Sequence, residues 1–73
     1  MAEVLASMAG TVLTVLVAPG DRVEAGQDVV ILESMKMEVP VQAEQAGIVS
    51  EIKVEAGSFV GDGDVLLVLS DES

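Results

Sequence analysis

The sequence predicts an all-β fold, a small sandwich or flattened barrel built on a pseudo-twofold internal repeat. Three observations predict it. The apolar stretches are short, rich in Val, Leu and Ile, and bounded by Gly-centred turns. No stretch carries the 3.6-residue period of an amphipathic helix. The chain also matches itself without a gap when Gly10 is laid on Gly47, which brings Ala9 onto Ala46, Val12 onto Val49, Val17 onto Val54, Gly20 onto Gly57, Val23 onto Val60, Gly26 onto Gly63 and Leu32 onto Leu69. Self-similarity in so short a chain points to two stacked halves, about 9–34 and 46–71, within a single domain spanning 1–73.

Glu3 to Ala6 reads as a first strand. Thr11 to Val17 is a β-branched run closed by Ala18-Pro19-Gly20-Asp21, where Pro presets φ and Gly accepts positive φ. A short bridge around Val23 leads to Ala25-Gly26 and then to Asp28–Leu32, a second strand. Val39 to Gln42 is a short strand whose Pro40 lacks an amide donor, which assigns it to an edge or a bulge. Ile48 to Val54 alternates, with Ile48, Ile52 and Val54 expected on one face and Glu51 and Lys53 on the other. Val65 to Leu69 is apolar throughout, as in a strand buried between layers. Gly61-Asp62-Gly63 has neither a following helix nor a nearby Lys, so it is read as a turn and not a phosphate loop.

Composition removes whole classes of function. Three basic and 13 acidic residues give a formal charge of −10 with no histidine, which excludes a phosphate-reading surface and docking on anionic membranes. The absence of cysteine removes disulfides, thiolate chemistry and Cys-bound zinc, and the absence of histidine removes the commonest general base. A self-contained enzyme is not expected. The start, Met1-Ala2-Glu3-Val4, has no basic leader and no apolar run approaches a membrane span, so a cytoplasmic monomer is the expectation.

The segment joining the halves is Glu33-Ser34-Met35-Lys36-Met37-Glu38-Val39. Strands on both sides leave room only for a two-residue hairpin turn centred on Met35 and Lys36. Such turns need positive φ at both central residues and favour Asn-Gly or Asp-Gly. Met-Lys is a poor choice, because a side chain in that region costs about 1 kcal/mol or more. Turn stability therefore did not select these residues. Lys36 is one of three cations, with Arg22 and Lys53, and methionine suits surfaces that several partners grip. Two readings stay open on the residues alone: an amine offered for acylation, or a solvated charge beside methionines that cover the end of the core.

The Met35-Lys36-Met37 triplet between Glu33 and Glu38 resembles the attachment motif of biotinyl carrier domains. Gly20-Asp21-x-Val23-x-x-Gly26 and its copy Gly57-Ser58-x-Val60-x-x-Gly63 are similar to the biotinyl/lipoyl domain family, and the resemblance covers essentially the whole chain. It implies a flattened barrel of two four-stranded antiparallel sheets, with biotin joined to the Lys36 side-chain nitrogen as an amide. Met35 and Met37 would flank the site, and Glu33, Ser34 and Glu38 would offer ligase contacts. Ser34 stands where biotin domains usually have Ala and leaves lipoate as an alternative, as does an unmodified interaction module. No insertion separates the halves, so the thumb of some carriers is absent.

The resemblance also implies partners. A lysine ammonium is not a nucleophile at neutral pH, so a biotin protein ligase, or a lipoyl ligase, must activate the acid and help deprotonate the amine. Acylation removes one positive charge from a chain of −10. The implied role is a non-catalytic carrier that shuttles carboxybiotin between biotin carboxylase and carboxyltransferase active sites, the hard chemistry belonging to the cofactor. With no linker beyond Ser70-Asp71-Glu72-Ser73, a free subunit is expected.

Overall fold

The structure, a computed structural model, describes residues 2–71; Met1, Glu72 and Ser73, and with them the expected free terminus, lie outside the described residues. Eight strands follow in order: β1 (Ala2–Leu5), β2 (Gly10–Val15), β3 (Arg22–Val23), β4 (Asp28–Ser34), β5 (Met37–Gln42), β6 (Gly47–Ile52), β7 (Phe59–Val60) and β8 (Val65–Ser70). They form two four-stranded antiparallel sheets, ordered β1-β8-β6-β3 and β5-β4-β2-β7. No helix among the described residues is long and apolar enough to cross a membrane.

The internal repeat is structural. Moving 37 residues along the chain (Gly10 to Gly47) carries β1 to β5, β2 to β6, β3 to β7 and β4 to β8, and so turns each sheet into the other. The hydrogen bonds follow: Val12 N–H donates to the Ser58 carbonyl and Val49 N–H to the Asp21 carbonyl, both at 2.8 Å. Gly20 N–H reaches the Val49 carbonyl at 2.7 Å, and its counterpart Gly57 reaches Val12 at 2.8 Å. The repeat extends further toward the N-terminus than Ala9, because Val4 and Ala6 are buried like their counterparts Val41 and Ala43.

Glycines 10 and 47 open the two central strands for a steric reason. A Cβ on Gly10 would sit 2.6 Å from the Glu33 carbonyl oxygen, and one on Gly47 would sit 2.8 Å from that of Ser70. Both strands need a bare Cα where the neighbouring backbone crosses. The core between the sheets is aliphatic, with Val12, Val23, Val29, Val30, Leu32, Val49, Leu66 and Leu67 essentially sealed from solvent. Among the described residues it holds no buried polar or charged one, so burial of hydrocarbon carries the stability.

Several strand expectations change in detail. Thr11–Val17 begins at Gly10 and ends at Val15. Asp28–Leu32 runs on to Ser34, and Val39–Gln42 begins at Met37, so the hairpin strands continue right up to the turn. The bridges around Val23 and Val60 are two-residue edge strands. Ile48, Ile52 and Val54 do not share one regular face. The register shifts between Val49 and Glu51, leaving Ser50 as an extra residue, and the buried side chain before the shift is Val49. A β-bulge resets the two-residue phase. β2 has the same shift at the equivalent place, between Val12 and Thr14.

Candidate functional site: the Lys36 hairpin

β4 and β5 pair through Glu33↔Glu38 and Ser34↔Met37, leaving only Met35 and Lys36 to make the turn. Met35 has φ 54° and Lys36 φ 64°, the only two non-glycine residues with positive φ among the described residues. This is the primed two-residue turn whose twist matches antiparallel strands. It is built without the Gly or Asn that makes it inexpensive, and the register up to Ser34↔Met37 holds it in place.

The result is a stiff tip. Met35 is 92% exposed and Met37 65%, so neither methionine covers the core. Lys36 and the carboxylates of Glu33 and Glu38 are exposed, while Ser34 is half-buried. The two glutamates stand opposite each other across the hairpin, a like-charged pair that opposes strand pairing. The other two cations are engaged elsewhere: Arg22 with Glu24, and Lys53 with Glu51 at 3.0 Å. Among the described residues no ion pair holds Lys36.

Sequence reasoning missed the support beneath the tip. Gly10 lets β2 approach so closely that its absent Cβ would lie 3.6 Å from the Ser34 Cβ, besides meeting the Glu33 carbonyl. Aligned glycines in the two halves were the available signal; the backbone crossing that explains them was not.

No cluster of acidic residues able to hold a metal ion occurs among the described residues. Two grooves, of about 450 and 370 Å³, are lined by Leu5, Pro40 and Val41 in one case and by Val15, Pro19 and Ile52 in the other, not by the turn. An exposed primary amine with open space around it accepts a covalent group as an amide and leaves that group free to enter other proteins. Fold and tip together have the form of a carrier domain.

Comparison with known proteins identifies the kind of carrier. The family model described as biotin-requiring enzyme matches residues 2–69. The chain is 54% identical over 66 residues to the biotin/lipoyl attachment protein of Bacillus subtilis, covering 90% of each chain. It is 48% identical over 68 residues to the biotinylated protein TB7.3 homolog of Mycobacterium leprae, covering 93% of this chain and 96% of that one. Among solved structures, Kluyveromyces lactis urea carboxylase matches with a TM-score of 0.89 and 35% identity over 94% of this chain, which spans 6% of that enzyme. The chain belongs to the biotinyl/lipoyl attachment domain family.

The turn yields a prediction. Met35→Asn, a residue that tolerates positive φ, should raise stability by up to about 1 kcal/mol, or about 4–8 °C in Tm for a domain of this size. The same variant should be biotinylated more slowly, and Met35→Ala and Met37→Ala should share the slower ligation without unfolding. Paired thermal melts and ligation time courses check both; a core role for either methionine would show instead as lost folding.

Proposed function

We propose that the protein is a biotin carrier, biotinylated on Lys36 and serving as a non-catalytic subunit of a biotin-dependent carboxylase. The observation that carries this reading is the turn: two positive-φ positions are given to Met35 and Lys36 at a conformational cost, and the amine they hold out is without an ion pair among the described residues. When attached, biotin supplies the capacity to carry a carboxyl group. The chain's own residues hold the attachment nitrogen at a fixed place, clear of the core. They leave the arm room to swing, and they put Met35 and Met37 where a partner can grip them. Once the carrier is docked on a partner, attachment makes each encounter of the biotin with that partner's active sites effectively intramolecular.

A biotin protein ligase is the proposed modifying partner, with Glu33 and Glu38 at the rim of its contact and Ser34 beneath it. The proposed state is a cytoplasmic monomer whose acidity favours basic docking surfaces. Lipoate is the second acid the tip would accept. Protein isolated from its native host should react with streptavidin and not with a lipoyl-specific antibody. The reverse pattern would assign it to lipoate-dependent chemistry.

A further inference from the structure

The repeat supplies an internal control for the surface. Because the two halves occupy equivalent frames, the fold makes the same demand at both members of each pair of positions. Five exposed apolar residues stand where the repeat has a polar one: Leu5 against Gln42, Met8 against Gln45, Leu13 against Ser50, Leu16 against Lys53 and Phe59 against Arg22; the last three adjoin β2 and β7. The fold is served by Ser, Lys and Arg at the places equivalent to these three, so the apolar choice of Leu13, Leu16 and Phe59 answers to something else. Phe59 is the single aromatic of the chain and is 86% exposed.

The three lie on one face. Phe59, on the edge strand β7, pairs with Thr11 of β2, Leu13 is the exposed bulge residue between Val12 and Thr14, and Leu16 continues the strand line through its N–H bond to the Val29 carbonyl at 2.9 Å. A diagonal step between paired strands is within reach of an aromatic ring. Thr11 also pairs with Glu33, and Glu33 with Glu38, so the patch shares a cross-strand row with the base of the Lys36 hairpin. The strands of this sheet contain no Lys or Arg, while Asp28, Glu33 and Glu38 are all exposed on them. The patch is thus apolar within an acidic frame on the lysine-bearing sheet.

We propose that the outer face of β2 and β7, centred on Phe59 and Leu13 with Leu16 beside them, is the surface by which the carrier docks on its carboxylase partner. The partner's complementary chemistry is an apolar socket rimmed by Lys and Arg. Docking there grips the body of the domain and leaves the Lys36 tip free to enter an active site. The inference rests on the carrier reading above but concerns different residues from those a ligase meets at the tip.

The test gives the patch the residues of the equivalent positions: Phe59→Arg alone, and Phe59→Arg with Leu13→Ser and Leu16→Lys. Each is first biotinylated, with loading verified by intact mass, and assayed with the host's purified biotin carboxylase subunit. Wild-type protein that takes up biotin and is then carboxylated establishes the carrier reading within the same assay. The single variant should raise the KM for carrier about tenfold with little change in kcat, as loss of an aromatic anchor does. Its Kd for the subunit, measured by titration of the unmodified protein, should weaken in parallel. Phe59→Leu should retain most of the binding, and biotinylation rates should stay within about twofold of wild type. Unchanged KM and Kd in the single variant, or an equal loss from the control Lys53→Leu, would overturn the docking face while leaving the carrier reading standing.

Discussion

Lys36→Arg should give a folded protein that accepts no biotin. Arginine keeps the charge and the long aliphatic stem, so the hairpin loses nothing that the register Ser34↔Met37 does not already supply. What it loses is chemistry: a guanidinium stays protonated and is no acyl acceptor. Loss of label should be complete, because the remaining lysine, Lys53, is bonded to Glu51 on the flank of the other sheet and does not occupy a turn. Circular dichroism and thermal melting should match the parent within about 0.5 kcal/mol, as for an exposed substitution. Label persisting in this variant would move the attachment site to Lys53.

The second large effect concerns Gly10. Gly10→Ala and its mirror Gly47→Ala place a Cβ at 2.6 Å and 2.8 Å from a backbone oxygen, closer than real contacts come. The obstacle is main chain in a paired strand, so relief requires moving β4 or β8. Each variant should lose about 1–3 kcal/mol, toward the upper end, as overpacked sites do. The two should then diverge in function. Gly10 crosses Glu33 and Ser34, immediately before the turn, whereas Gly47 crosses Leu69 and Ser70 in the other sheet. At a temperature where both remain folded, Gly10→Ala should slow ligation and Gly47→Ala should not. Equal ligation rates would show that the tip is indifferent to its support.

Much of this was legible because the sequence says the same thing twice. Gly20, Gly26, Gly57 and Gly63 all have positive φ, so the turns that punctuate the strands followed directly from residue type. The hairpin was legible through a contradiction: turn geometry demanded Gly or Asn, and Met-Lys stood there instead. The bulges at Leu13 and Ser50 carry no such signature, since neither position is glycine, and this is why the expected face of Ile48, Ile52 and Val54 failed. β3 and β7 are two residues each, too short to show any period. Leu13, Leu16 and Phe59 read as ordinary strand residues in the sequence; only exposure, compared between equivalent positions, separates them from the core.

Lys36 is the residue expected to receive biotin. Peptide-level mass spectrometry of protein purified from its native host reads this site by site. The expected result is the mass of one biotinyl amide on the peptide containing Met35-Lys36-Met37, with Lys53 unmodified. A free amine at Lys36 in cells supplied with biotin, or a biotinyl group on any other residue, would contradict it.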